Sequence, residues 1–272
     1  MVRVSTPSER WRRVDRSQDP DAAVRFLERT STRPGQRHPG LPLLRLEPGQ
    51  RCLDVGCGLG EDARSIAEAT GAAVLGIDVS LHLAKEAHSR SESAGTSMFA
   101  TADGAQLPLA DASFDAAWIK RTLMHLSDAG PVVREMRRVV RPGGWVVAAE
   151  PDSEVLLLDS GLPDVTRRVL AFRAAAYANP WAGRQLRRHL REAGLVDITL
   201  KVLAGDETAL AVAQEQFHLL GVGRAAASEG IITEDELREW EADLVERDQR
   251  GVFTCLLLMV IGAGRVPCEA AP

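Results

Sequence analysis

Glycines at 56, 58 and 60, set between an apolar β-run and a helical pattern, constrain this chain more than any other feature. The stretch from Arg51 to Ala67 reads RCLDVGCGLGEDARSIA, with Cys52, Leu53 and Val55 forming the run and the helical pattern starting directly after Gly60. Glycine permits a sharp strand-to-helix turn and lets the backbone approach a ligand closely, beside the positive end of a helix dipole. The charges around that turn indicate which ligand.

Dinucleotide enzymes use G-x-G-x-x-G to seat a pyrophosphate on a helix N-terminus. Here the spacing is G-x-G-x-G, and Glu61 stands where that pattern has its third glycine. Asp54, Glu61 and Asp62 surround the loop with negative charge. They are poor neighbours for a pyrophosphate but suit a ligand with an ammonium, a sulfonium and no phosphate, which describes S-adenosylmethionine (SAM). Glu61 and Asp62 carry a second reading, as acids that favour the first turn of a helix. That reading does not cover Asp54, at the strand end. The run from Ala73 to Ile77 reads as strand two and ends in Asp78, 18 residues after Gly60. An acid at about 20 residues past such a loop accepts hydrogen bonds from ribose hydroxyls. Asp103 follows the run from Met98 to Ala102 and is trailed by Gly104, giving three strands that each end in an acid or a glycine turn.

The segments LDVGCGLG, GIDVS, ATADGAQLPLADASFDAAW and MRRVVRPGGWVVAAEPD resemble the successive motifs of class I SAM-dependent methyltransferases, closely from Leu43 to Pro151 and in outline beyond. The small-molecule enzymes of bacterial quinone and natural-product pathways are the most similar type. The resemblance implies that Gly56, Gly58 and Gly60 pass under the methionine portion of SAM, with Asp54 among the cofactor contacts. It places Asp78 on the ribose, Val79 beside the adenine, and Asp103 at the adenine amino group with Ala102 and Gly104 near it. Lys120 and Arg121, closing strand four, join the cofactor set, and S-adenosylhomocysteine (SAH) is the implied product.

A hydrophobic fraction of 45% is ample for a buried core in 272 residues. A net charge of −5 argues against a nucleic-acid binder. The clusters Arg134-Arg137-Arg138-Arg141 and Arg184-Arg187-Arg188-Arg191 read as solvated helix faces near helix ends. Three lysines against thirty arginines read as the base composition of a GC-rich bacterial genome. Four cysteines without C-x-x-C spacing indicate neither zinc nor a disulfide framework. The stretch MVRVSTPSERWRRVDRSQDPD has no apolar run, and Leu256 to Ala263 is too short to span a bilayer, so the expectation is a cytoplasmic protein that does not engage membranes. A homodimer is left open.

Alternating βα units predict an α/β fold: a Rossmann-like, seven-stranded, mostly parallel sheet with helices on both faces. Strands are expected near 51–55, 73–77, 97–102, 114–119, 144–150, 196–202 and 252–261. The helices expected between them lie near 60–70, 80–93, 129–140, 162–177, 183–193, 207–227 and 233–249. Arg141-Pro142-Gly143-Gly144 reads as a turn. Three regions are expected: an arm and lid helix over 1–42, a SAM-binding core over 43–151, and over 152–272 the rest of the sheet with helical insertions after strands five and six. Those insertions and the N-terminal helix, opened by Asp19-Pro20, would form a lid over the carboxyl ends of the strands.

Methyl transfer is an in-line displacement that gains from alignment in a dry pocket, with an optional general base. His125, after strand four, is the candidate base; the alternative is a histidine with no base role. Beyond strand five, Glu150, Asp152 and Glu154 crowd the pocket mouth. Glu150 reads as a strand-end structural acid and Asp152 as a substrate contact, and no metal is expected. Aromatic residues make up only 4% of the chain, so Tyr177, Trp181 and Phe172 stand out. Tyr177 and Trp181 are candidate acceptor contacts, with ordinary packing an equal reading for Trp181. Trp11 and Phe26 read as buried or as folded over SAM. The acceptor expected is a small, apolar metabolite offering an O, N or C nucleophile. Lys120-Arg121-Thr122-Leu123 lacks the Asn/Asp-Pro-Pro-aromatic motif of amino-group methylation on adenine or glutamine, and Pro267-Cys268 lies outside the core. A protein that binds SAM and catalyses a cyclisation or rearrangement, or only binds it, is the alternative; a nicotinamide oxidoreductase is a third, opposed by the acidic loop.

Overall fold

A computed structural model describes residue 11 and residues 14–31, 39–91 and 97–268. Most of the expected N-terminal arm, residues 32–38 of the Pro/Gly-rich approach, the end of the helix expected over 80–93, and residues 269–272 lie outside the described residues. Among the described residues the helices are α1 (Asp21–Ser31), α2 (Glu61–Thr70), α3 (Leu81–Ser89), α4 (Gly130–Val139), α5 (Pro163–Ala175), α6 (Ala182–Glu192), α7 (Leu210–Phe217), α8 (Leu219–Ser228) and α9 (Glu234–Gln249). The strands are β1 (Arg51–Val55), β2 (Ala73–Asp78), β3 (Ser97–Thr101), β4 (Phe114–Lys120), β5 (Val140–Leu158), β6 (Val196–Glu207) and β7 (Cys255–Arg265).

The strand order is β3-β2-β1-β4-β5-β7-β6. Strands β1 to β5 pair in parallel, and β7 runs antiparallel between β5 and β6. The order reverses between β1 and β4, so the loops leaving those strands open a crevice at their carboxyl ends, where open α/β sheets take ligands.

Side chains on successive strand positions point to opposite faces. Leu53, Val55, Ala117, Ile119, Val146 and Ala148 therefore join one buried cluster with Val132, Val133 and Met136 of α4 and Leu186 of α6. Cys52, Ala116, Trp118, Val147 and Ala149 join the opposite one with Ala63 and Ile66 of α2. A strand buried on both faces reads as an apolar run, which is how Cys52-Leu53 of β1, Ala116 to Ile119 of β4 and Trp145 to Ala149 of β5 read in the sequence.

The expected and observed elements differ in three places. The expected Arg141–Gly144 turn is drawn into the sheet, because the Gly143 N–H donates to the Val266 carbonyl at 2.9 Å. A Cβ on Gly144 would lie 2.3 Å from the Asp115 carbonyl oxygen, so only glycine passes there. Strand β5 then continues past Glu150 to Leu158, because β7 offers it pairing partners from Leu257 to Cys255. The helix expected over 207–227 breaks at His218, which adopts φ +54. The α7 ladder ends there as the His218 N–H bonds the Gln214 carbonyl, and α8 begins as the His218 carbonyl accepts from Val222.

Helices α5, α8 and α9 form a third core with Phe253 and Leu156, centred on Trp240, which is fully buried and donates its indole N–H to the Thr166 hydroxyl at 2.9 Å. The N-terminal segment docks separately: Val14, Ala23 and Val24 pack on Leu59 and Leu83. Its Asp15 carboxylate accepts from the Ser80 hydroxyl at 2.6 Å and from the Leu81 and His82 N–H groups, capping α3 from 65 residues away. Burial raises the Asp15 pKa, but these bonds outweigh it and hold the group below its ordinary value.

Trp240→Ala empties the centre of the third core and is expected to cost about 3–5 kcal/mol. Urea unfolding with hydrogen exchange checks this: protection should fall in α5, α8 and α9 before it falls in β1 and β4.

Candidate active site

One cavity of about 1620 Å³ runs along the carboxyl ends of β1, β2 and β4 and continues between α1, α5, α7 and α8. Gly56, Gly58, Asp78, Val79, Ala102, Asp103, Gly104, Lys120, Arg121, His125 and Tyr177 all line it, so residues far apart in the sequence meet in one space.

The glycine loop is built by close approach. Gly56, at φ +72, lies so near Thr122 that a Cβ would fall 2.4 Å from its hydroxyl oxygen. The N–H groups of Gly56 and Cys57 both bond the Ile77 carbonyl, at 2.8 and 2.9 Å. Asp78 fixes the remainder: its carboxylate accepts from the Gly58 N–H at 3.0 Å and the Ser80 N–H at 2.9 Å. Burial raises the Asp78 pKa, with the Ser80 and Gly58 bonds opposing it. Each carboxylate oxygen keeps a lone pair for a ligand hydroxyl.

Around the loop, Asp62 accepts from Lys120 Nζ at 2.5 Å and from the Trp118 indole N–H at 3.0 Å. Glu61 and Asp62 both line the cavity, beyond any role at the helix dipole. Asp54 is buried behind them, outside the cavity lining, with Oδ2 unpartnered. Burial and the neighbouring Asp62 charge push its pKa well up, against Lys120. Gly60 is also outside the lining; its lack of a Cβ admits the Phe99 ring, which a Cβ would meet at 2.4 Å. Asp103 spends one oxygen on the Ala105 N–H at 2.9 Å and shapes its own turn.

After β4 the chain makes a tight turn, with Arg121 at φ +52, held by its N–H to the Ala149 carbonyl and by its guanidinium to the Thr30 carbonyl of α1 at 3.2 Å. A non-glycine residue in that region is a strained conformation maintained by its surroundings. The surroundings here include Glu150, fully buried, whose carboxylate accepts from the N–H groups of Thr122, Leu123 and Met124 at 2.9, 2.8 and 3.3 Å. Burial raises the Glu150 pKa to about 7 despite those bonds and the Arg121 charge. The next residue of that turn is His125, its ring 5.6 Å from Trp11 and 5.9 Å from Tyr177, with Nδ1 buried and unpartnered. Burial and then Arg121 lower its pKa to about 3, so the imidazole is neutral.

Two expected acceptor contacts lie elsewhere. Asp152 is buried beneath a forked pair with Arg184, at 2.5 and 2.7 Å, and only its neighbours Pro151 and Ser153 reach the cavity. Arg184 also meets Glu154, so of the three acids in the second half of β5 two serve an arginine and Glu150 serves a turn. Trp181 is 44% exposed and faces a separate pocket of about 290 Å³ with Ser127 and Asp128. Sequence reasoning did not single out Asp15 or Arg173. Neither lies in a motif, and only the fold brings their partners near.

Comparison with known proteins bears on this geometry. Residues 53–148 match the family model described as a methyltransferase domain. Over 174 residues the chain is 37% identical to a 27-O-demethylrifamycin SV methyltransferase of Amycolatopsis mediterranei, covering 62% of this chain and 61% of that protein. Over 124 residues it is 40% identical to an O-methyltransferase of Pyrenophora dematioidea, covering 44% and 45%. The chain spans about half the length of the curated relatives it matches. Among solved structures, the fold is similar to Haemonchus contortus phosphoethanolamine N-methyltransferase 2 in complex with S-adenosyl-L-methionine. The TM-score is 0.60 at 18% identity, over 94% of this chain and 60% of that one.

Two expectations follow. Asp78→Ala removes the acceptor for Gly58 and Ser80 and is expected to weaken SAM binding about tenfold or more, measured by calorimetry. Glu150 carries a raised folded pKa, so its contribution to stability is full below pH 4.5 and is lost as pH rises through about 7. The stability gap between wild type and Glu150→Gln should therefore shrink by about 2–3 kcal/mol from pH 5 to pH 8, and a gap independent of pH would contradict the assignment.

Proposed function

We propose that this chain is a class I SAM-dependent methyltransferase, a reading supported by the methyltransferase-domain match over residues 53–148, and that it moves a methyl group from SAM to a nucleophile on a small, apolar metabolite and releases SAH. The observation that carries this is the continuity of the cavity, from the glycine loop, Asp78 and Asp103 at one end to His125 and Tyr177 beyond. The local chemistry fits the cofactor: closely packed glycine backbone, a buried acid at the end of β2, and Lys120 beside the loop already paired with Asp62. Gly56, Gly58, Asp78, Val79, Ala102, Asp103 and Gly104 would hold it, with Glu61, Asp62, Lys120 and Arg121 at its amino-acid end. When bound, SAM supplies an electrophilic methyl on a sulfonium.

The chain's own residues then do three things. The carbons of Trp11, Met124 and Tyr177 exclude water from the space around His125. Arg121 and Glu150 fix the turn that carries the histidine. His125, neutral and lining the cavity, accepts a hydrogen bond from the acceptor hydroxyl and takes its proton. An imidazole this weakly basic suffices, because an oxygen becomes strongly acidic as it gains the methyl. The carbon–sulfur bond breaks with its pair going to sulfur, and the new carbon–oxygen bond uses the acceptor's pair. An oxygen acceptor is favoured by the names of the relatives, several of them O-methyltransferases. Helices α1, α5, α7 and α8 form the lid over the strand ends, and secondary metabolism in a bacterial cytoplasm is the proposed setting.

Conversion of methyl-labelled SAM to SAH with an acceptor panel tests the reading; SAM binding without any SAH release would sink methyl transfer. His125→Ala is expected to lower kcat about 10²–10⁴-fold with SAM affinity essentially unchanged. With its pKa near 3, His125 stays unprotonated down to mildly acid pH. The rate should then show no limb from His125 between pH 5 and 8; a limb near the ordinary histidine value that persists in Glu150→Gln, which removes the one other group placed near 7, would contradict the buried, neutral base.

A further inference from the structure

Beyond His125 the cavity is walled by α5, α7, α8 and the facing ends of β6 and β7, and Arg173 of α5 stands in that wall. The residue is 9% exposed, and its guanidinium lies 5.5 Å from the Tyr177 ring centre and 5.6 Å from that of Phe217. Its hydrogen bonds are long: Nε to the Phe217 carbonyl at 3.4 Å and Nη2 to the Tyr177 hydroxyl at 3.3 Å. Nη1 is buried with no partner. Among the described residues no carboxylate comes within 4.0 Å of this guanidinium. Asp206, Glu207 and Glu229 line the same space outside that distance, and Glu207 accepts from the Gln216 amide at 3.1 Å.

Removing a guanidinium from water without a counter-charge is costly, and aromatic faces with two long bonds offset little of that. The planar fork matches the two oxygens of a carboxylate or phosphate. An oxyanion entering the cavity would give the guanidinium a paired acceptor in direct contact, where its own bonds are two long ones.

We propose that Arg173 reads the acceptor: the molecule methylated carries an oxyanion, as a carboxylate or a phosphate ester, on an apolar body, and Arg173 binds that oxyanion. The inference rests on the methyl-transfer reading and specifies the acceptor class for the same site. Phe172, Val222, Leu257 and Met259 supply the apolar lining beside it. An Arg173 that only held Phe217 and Tyr177 in place would give the site no preference for charge.

The test is calorimetric titration of the full chain, with and without saturating SAH, using decanoate, decyl phosphate and neutral decanol as matched probes. At least one anion is expected to bind wild type about tenfold or more tighter than decanol, and the tighter of the two identifies the source of the oxyanion. In R173Q that preference should vanish with SAH affinity unchanged, and R173K should restore part of it. Equal binding of all three probes by wild type, no binding of any, or a preference surviving in R173Q overturns the proposal. The wild-type comparison decides the matter even if a variant fails to fold. An anion preference in a chain that does not bind SAH would leave the Arg173 assignment standing and remove the methyl-transfer reading, so the two failures are distinguishable.

Discussion

Two buried carboxylates, Asp78 at the carboxyl end of β2 and Glu150 within β5, are each engaged by backbone N–H groups of a neighbouring loop. The first ties the glycine loop to the end of β2; the second ties the His125 turn to the middle of β5. Both offset the burial of a carboxylate with bonds that only one loop conformation can supply. Removing either side chain leaves those N–H groups without this acceptor. The shape of the cavity therefore depends on these two acids as well as on its apolar walls.

The same logic explains the positions of strain. Arg121 departs from ordinary backbone geometry at the point where the sheet hands the chain to the His125 turn, and it reaches across to the Thr30 carbonyl. A strained residue that also bridges two layers couples the N-terminal helix to the site. Asp15 does a comparable task on the other side, capping α3 immediately after the Asp78 strand. The N-terminal segment is thus held at two places, by the Arg121 guanidinium on its Thr30 carbonyl and by its Asp15 carboxylate on the N–H groups that open α3.

The core was legible in the sequence because its signals are local. Buried parallel strands read as apolar runs, the glycine loop reads as a turn, and acids at strand ends have characteristic spacing. The roles of individual residues were less legible wherever they depend on a distant partner. Asp152 has the chemistry of a substrate contact, but Arg184, 32 residues away, takes both its oxygens. Trp181 has the bulk of an acceptor wall and faces another pocket. The break at His218 carries no glycine or proline at the residue itself, so no periodicity or turn signal reports it.

Strand β7 enters the sheet between β5 and β6, so the chain that leaves β6 and returns as β7 begins and ends on adjacent strands. Helices α7 to α9 are consequently a single excursion, of which α7 and α8 build one wall of the cavity without contributing to the glycine loop or to Asp78. An excursion with neighbouring endpoints is an exchangeable cassette. Its length and composition can change across a lineage while the hydrogen-bonded frame beneath stays as it is, which separates the evolution of what the protein recognises from the evolution of how it works.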